Sequence, residues 1–342
     1  MSSFVWKRGH TIVAAVVGVA LVGGGIGLAS ARNAPDQPGT APNASATATS
    51  AAPQPSATPS PTAKPKPTNP LTGGKVSGNK VLAVKVENIG LARPQVGLHA
   101  ADIVFAEEVE GAQTRLIAIY HTRFPTAVEP VRSARSTDVQ LLPLFGKPGL
   151  VYSGANRSVQ RKIDGSPIVP IYRETRDPRR IAPHNVRVNL KKLAATEKAG
   201  KAQSIGWTFA TKDDQVSAAK KAGEVKTKVG HDTFGFTYTG GRYTVRWNGK
   251  TYVDGDNSTV TKTDNVIVMD VVNHPDGNRD VAGSASVMSD TKGSGKVAIY
   301  RDGKVLKGTW DRENRSSKLR FRDAEGHDIP LKPGQTWVAL HG

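Results

Sequence analysis

Ala101-Asp102-Ile103-Val104-Phe105-Ala106-Glu107-Glu108-Val109-Glu110-Gly111-Ala112-Gln113-Thr114-Arg115-Leu116-Ile117-Ala118-Ile119-Tyr120 is the stretch from which the fold is read. Ile103-Val104-Phe105 and Leu116 to Tyr120 are short runs of β-branched and aromatic residues. Glu110-Gly111-Ala112-Gln113 between them has the make-up of a turn, so the stretch predicts two paired strands. Side chains alternate across a strand, which sets Glu108 and Glu110 on one face with Asp102 and sets Glu107 on the other. Ile103, Phe105 and Val109 share the parity of Glu107 and make its face the buried one. A buried carboxylate has to be paired, and Arg115, across the hairpin, is the nearest cation. Structural ion pairs and a catalytic pair of carboxylates fit these residues equally well.

Upstream, Val81-Leu82-Ala83-Val84-Lys85-Val86 reads as a third strand. Downstream the pattern turns helical. Ser136 is placed to cap a helix running through Asp138 to Leu142, which Pro143 ends or kinks. Asn156 to Ile163, Leu190 to Ala199 with Gly200 as its C-terminal glycine, and Asp213 to Ala222 with Gly223 are further helical candidates. After Thr233 short strands and tight turns take over. Tyr243–Trp247 and Lys250–Asp254 flank Asn248-Gly249, while Val297–Arg301 and Lys304–Trp310 flank Asp302-Gly303, both strong hairpin signals. Val266–Val272, Leu319–Arg322 and Trp337–Leu340 add three strands. The expected class is α+β: a mixed N-terminal domain over residues 70–230, then a mostly antiparallel β domain over residues 231–342.

The N-terminal segment points to export. Lys7, Arg8 and His10 precede an uncharged apolar run from Thr11 to Ser30, about long enough to cross a ~30 Å hydrocarbon layer. Ala29-Ser30-Ala31 also fits a signal-peptidase site, so residues 1–31 are either a removable signal peptide or a membrane anchor. Residues 32–69 hold nine of the 22 prolines among Ala, Ser and Thr, the composition of a disordered spacer. Of the 47 basic residues all but five, and of the 29 acidic residues all but one, lie beyond that spacer. The basicity therefore belongs to the folded body and implies an acidic partner or an anionic surface. The absence of cysteine excludes a disulfide scaffold, a thiolate metal site, a cysteine nucleophile and an acylated cysteine.

Two further constellations bear on chemistry. Pro130-Val131-Arg132-Ser133-Ala134-Arg135 leads into the helix expected at Ser136, and two arginines at a helix start suit a phosphate or carboxylate. The same arginines could instead pair with the acids of the hairpin. Ala182-Pro183-His184-Asn185 offers His184 as a general base or a structural histidine, with Asn185 anchoring its loop. The histidine spacings predict no metal site, and no dinucleotide, phosphate-loop or Gly-x-Ser-x-Gly motif calls for a cofactor.

Several of these words recur together. Arg93-Pro94-Gln95, Gly97-Leu98, Ala101-Asp102-Ile103-Val104, Glu110-Gly111, Thr114-Arg115, Pro130 to Arg135 and Ala182 to Asn185 resemble the signature of the bacterial YerB-like family. Gly293-Ser294-Gly295-Lys296, Asp302-Gly303, Gly308-Thr309-Trp310 and Pro333-Gly334-Gln335-Thr336-Trp337 resemble its C-terminal half. The resemblance spans about residues 70–342 and implies an exported, surface-anchored protein of two domains with no established activity. Members of that family are often lipoproteins, whereas anchoring of this cysteine-free chain would fall to Thr11–Ser30.

Two functions follow as expectations. The first is an extracytoplasmic protein, held at the membrane or released into the wall, that binds an anionic cell-wall polymer or an envelope protein. Its ligand-binding candidates are Arg93, Asp102, Thr114, Arg115, Arg132, Ser133, Arg135 and Asn185. The second is an envelope glycan or phosphodiester hydrolase or transferase using Glu107 or Glu110 with His184. Nucleic acid is not an expected partner, since the chain is exported and carries no recognised nucleic-acid module.

Overall fold

The computed structural model describes residues 68–280 and 283–342. The apolar run expected to cross the membrane and nearly all of the spacer lie outside these residues. Among the described residues no helix is long and apolar enough to cross a membrane.

Leu82–Glu87 (β1), Ile103–Glu108 (β2) and Thr114–Tyr120 (β3) form where the apolar runs predict strands. Residues Glu110–Ala112 make the turn as a short 3-10 segment whose Gly111 has φ 63°, a left-handed conformation that favours glycine. Ser136–Leu141 (α1), Gly149–Tyr152 (β4), Arg157–Asp164 (α2), Val169–Tyr172 (β5), Leu190–Thr196 (α3) and Asp214–Ala218 (α4) follow. Then come Lys220–Lys221 (β6), Glu224–Val229 (β7), Asp232–Thr239 (β8), Arg242–Trp247 (β9), Lys250–Thr251 (β10) and Lys262–Thr263 (β11). Asn265–Asp270 (β12), Asn273–Arg279 (β13), Ala285–Ser289 (β14), Gly293–Arg301 (β15), Lys304–Arg312 (β16), Arg320–Arg322 (β17) and Thr336–His341 (β18) complete the described chain.

Ten of these strands line up as β17-β16-β15-β12-β18-β2-β3-β1-β4-β5, with β6 beside β16. Strands from both sides of residue 230 are thus hydrogen-bonded into one mixed sheet. The joint is β18, parallel to β12 on one side and to β2 on the other, with Thr336 opposite both Asn265 and Ile103. A smaller sheet, β10-β9-β8-β7 with β11 on β9, and the β13–β14 ribbon stand apart from it.

Both faces of the large sheet are covered, so its strands read as near-continuous apolar runs. Ala83, Ile103, Phe105, Ile117, Ile119 and Val338 point into a core shared with Val139, Leu141 and Phe145 of α1 and the turn after it. Val84, Val104, Ala106, Leu116, Ala118 and Trp337 point the other way, into a core shared with Phe234, Phe236 and Tyr243 of the small sheet. Trp337 is ringed there by Phe234, Phe236 and Tyr252 at 5.4–6.2 Å between centroids.

Among the described residues the class is mainly β, with a large mixed sheet and helices of at most eight residues. The expected α+β balance holds only loosely, because the helices are shorter than their apolar spacing suggests. Leu190 starts a helix that ends at Thr196, not at Gly200, which instead donates its N–H to Lys147 O at 2.6 Å. The helix expected to run to Ala222 stops at Ala218 because Lys220–Lys221 pairs with Lys304 and Val305 of β16. Both hairpin signals are realised, with left-handed φ at Asn248, Gly249, Asp302 and Gly303.

A buried charge cluster ties α1 to the sheet. Lys85 and Glu107, both fully buried, form an ion pair, and the Lys85 ammonium lies 2.9 Å from Asp138 of α1. Burial pushes the Glu107 carboxyl above its ordinary range, opposed by Lys85 and reinforced by Asp138. Replacing Lys85 by Met strands two carboxylates in the interior and should cost about 3–5 kcal/mol. Glu107→Gln leaves Lys85 paired with Asp138 and should cost clearly less. Urea unfolding of the two variants checks the order, and equal losses would refute the pairing.

Candidate functional site

The site begins with a row of charges across three strands. In register, Ala83, Ile119 and Ile103 lie side by side, as do Lys85, Ile117 and Phe105, and then Glu87, Arg115 and Glu107. Directly opposed residues share a face, so one face of the sheet is apolar at one end and charged at the other. Arg115 sits between the two glutamates, yet each glutamate bonds elsewhere. Glu107 takes Lys85, and Glu87 takes Arg132 at 2.8 Å and His184 Nδ1 at 2.8 Å.

Arg115 is left over. It is 5% exposed, and its Nε and Nη1 are buried without a hydrogen-bond partner. Burial, followed by the charges of Arg135 and Arg132, pulls its pKa down to about 10, against the weaker help of Glu87 and Glu110. The guanidinium borders a cleft of about 590 Å³ whose other walls are Glu110, Arg132, Ser133, Arg135 and the Gly154–Asn156 turn. Arg279, Asp280 and Ser284 of the β13–β14 ribbon close a further side. The ribbon is held there because Asp276 accepts the Ser136 hydroxyl at 2.6 Å and Asn273 donates to Glu108 at 2.9 Å. Four arginines against two carboxylates give this cleft a positive balance.

Arg135 grips Glu110 with two nitrogens, at 2.6 and 2.9 Å. Burial alone would raise the Glu110 carboxyl, but the hydrogen bond and charge of Arg135 hold it below its usual range. Glu110 is therefore a carboxylate at neutral pH and is already engaged. The helix start expected to receive an anion is not built that way. Arg135, not Ser136, is the capping position, α1 has only six residues, and Asp138 accepts the Arg135 N–H at 2.6 Å. The two arginines still reach the cleft, from the extended segment before the helix.

The structure thus brings Glu110, Arg115, Arg132, Ser133 and Arg135 together, and it disperses the other candidates. Asp102 stands before the first residue of β2, at the opposite end of that strand from Glu108. Its carboxylate accepts the N–H groups of His121 at 2.6 Å and Thr122 at 2.8 Å, which fixes the end of β3. Thr114 points to the other face of the sheet and donates to Asp232. Arg93 lies over the rings of Trp247 at 3.9 Å and Tyr252 at 4.3 Å and donates to Asn88, so it clamps the small sheet. Asn185 anchors its loop through the carbonyls of Asp177 and Arg180, both at 3.2 Å. Glu107 is sealed in the interior, and His184 lines a second cleft, so Glu107, Glu110 and His184 do not converge on one space. Among the described residues no three side chains of the metal-ligating type cluster to hold an ion.

Sequence reasoning missed Lys85 and Glu87. The signal was present in the parity of β1, where Ala83, Lys85 and Glu87 repeat the apolar-to-charged change seen in Ile119, Ile117 and Arg115.

This arrangement sits on a known fold. Family models for the N-terminal and C-terminal domains of a protein of unknown function, DUF3048, match residues 68–203 and 225–338. YerB of Bacillus subtilis (strain 168), a proposed lipoprotein, is 26% identical over 293 residues, which span 79% of this chain and 85% of that protein. The crystal structure of the YerB protein from Bacillus subtilis is similar with a TM-score of 0.66 at 24% identity, covering 80% of this chain and 96% of that one. At that identity the likeness is one of fold. With both domain models matched in order over most of the described residues, the chain belongs to the DUF3048 family, as its YerB-like words imply.

Proposed function

We propose that this is an exported cell-envelope protein that binds an anionic group, phosphate or carboxylate, of a wall polymer or envelope partner in the cleft around Arg115. The observation that carries the reading is the Arg115 guanidinium itself. A charge this buried is ordinarily paired, and this one has two nitrogens that no residue satisfies. An oxyanion supplied from outside would bring the guanidinium the counter-charge it lacks and offset the burial penalty. The excess of positive charge over the folded body, the apolar run at Thr11–Ser30 and the relationship to a proposed lipoprotein support the location.

Binding is favoured over hydrolysis or group transfer. A general acid has to carry a proton at working pH, whereas Glu110 is held ionised by Arg135 and Glu107 has no access to the cleft.

Replacing Arg115 by Met separates a ligand-binding arginine from a structural one. Glu87, Glu107 and Glu110 each keep another cation, so the change orphans no carboxylate. The variant should gain about 1–4 kcal/mol in stability, because an unpaired buried charge is exchanged for an apolar chain. It should also lose binding when the full-length protein, in mild detergent, is sedimented with purified walls. Wild-type binding should need the anionic polymers of the wall and outlast high salt, which screens exposed charges. A destabilised Arg115→Met protein with undiminished wall binding would sink the proposal.

The Glu110–Arg135 pair has its own signature. Because the folded carboxyl titrates below its ordinary 4.5, its contribution is present above that pH and is lost as pH falls below it. Melting curves of Glu110→Gln should therefore fall less steeply in acid than those of the wild type. Parallel curves would show that the pair contributes nothing.

A further inference from the structure

The small sheet buries one face, through Phe234, Phe236, Tyr243 and Val245, and turns the other to solvent. Alternation sets the make-up of that outer face. Its middle strand, β8, presents Thr233, Gly235, Thr237 and Thr239, all small. On one side β7 sets Lys228 beside Thr233, Lys226 beside Gly235 and Glu224 beside Thr237. On the other, β9 sets Arg246 beside Gly235 and Thr244 beside Thr237, and β11 adds Lys262 beside Thr244. Charged side chains thus flank a floor of threonine and glycine, which makes a trough along β8.

The charges of the trough are free. Lys226, Lys228, Arg246 and Lys262 are exposed, and among the described residues none of them takes a carboxylate. The outer face of these strands carries one acid, Glu224, while Arg242 at the end of the trough is held by Asp264 at 3.2 Å. The hydroxyls of Thr233 and Thr237 have no partner among the described residues either. Gly235 opens a notch midway, where a Cβ would meet nothing nearer than the Arg246 Cβ at 3.6 Å. Adjacent strands lie about 4.8 Å apart, so Lys226 and Arg246 face each other across roughly 10 Å.

We propose that this trough is a docking surface for a linear phosphodiester polymer without bases, laid along β8 with a phosphate over Gly235. Four free cations against one carboxylate select an anion. Exposed cations hold a lone anion weakly in water, so a chain that meets several of them at once is favoured over a single phosphate. Same-face residues repeat about every 7 Å along a strand, which suits charges strung along a chain. The threonine hydroxyls beside the notch can donate to phosphate oxygens. A protein partner calls for large apolar or aromatic side chains, and nucleic-acid bases call for aromatic platforms; the trough offers neither.

The probe is a fluorescent glycerol phosphate oligomer, titrated into the full-length protein in mild detergent and followed by anisotropy. Gly235→Thr keeps the net charge, suits a strand and fills the notch, and should weaken binding about fivefold. The Lys226→Gln, Arg246→Gln double variant should weaken it about tenfold and flatten its dependence on salt. Arg161→Gln, Lys162→Gln removes the same charge from α2, which packs on the opposite core through Val159 and Ile163, and should bind as the wild type does. Both pairs of side chains are exposed and Gly235 has room for a side chain, so all three variants should melt with the wild type. Undiminished binding by Gly235→Thr, an equal loss in the α2 variant, equal binding of oligothymidylate or polyglutamate, or displacement by orthophosphate at the same phosphate concentration would overturn the proposal. In the Arg115→Met background the Gly235→Thr loss should persist, whatever becomes of the Arg115 reading. Its disappearance there would assign the binding to the Arg115 cleft and refute the trough.

Discussion

Strand β18 hydrogen-bonds in parallel to β12 and to β2, and the rest of the architecture depends on that insertion. Parallel neighbours cannot be joined by a tight turn, so the chain must travel a long way before each of these pairings can form. Once β18 is in place, Trp337 packs under the small sheet while Val338 and Leu340 extend the opposite core. The β2–β3–β1 end, with its row Glu87, Arg115 and Glu107, is thereby fixed against the half that carries the β13–β14 ribbon. The cleft around Arg115 draws walls from both halves and has a fixed shape only because this strand fixes them.

Local signals survived well, and long-range ones did not. Asn248-Gly249 and Asp302-Gly303 specify their turns through backbone conformations available within two residues, and they were legible. So was the hairpin from Ile103 to Tyr120, because its two apolar runs flank a short turn. The insertion of β18 was illegible, since nothing in Trp337–Leu340 announces a parallel partner more than two hundred residues away. Of the site, Glu110, Arg115, Arg132, Ser133 and Arg135 were found because they crowd the hairpin and the segment leading to α1. Glu107 was assigned to Arg115 by proximity across the hairpin, but the low-dielectric interior favours Lys85, whose ammonium also reaches Asp138. Arg93 was read as a ligand contact for want of any view of Trp247 and Tyr252, aromatic partners remote in sequence.

The electrostatics of the two clefts differ in a way that composition alone would hide. Both are lined by many arginines, but in the cleft beside His184 Arg179 and Arg180 lie on Asp177 and Glu129 and Arg93 is held by Asn88 and two aromatic rings, whereas in the other Arg115 has no such partner. Net charge describes the long-range field of a protein. What a site binds is set by which groups remain unsatisfied after the protein has made its own pairs.

Glu87 stands between these two environments with one oxygen on Arg132 and the other on His184. A single carboxylate shared in this way is a thermodynamic link. A ligand that draws Arg132 toward itself leaves Glu87 to His184 alone and so alters the wall of the neighbouring cleft. By reciprocity, occupancy of that second cleft must then change affinity at the first by the same factor. A polymer that engaged both at once would be held by more than the sum of its two contacts, or by less, according to the sign of that one coupling.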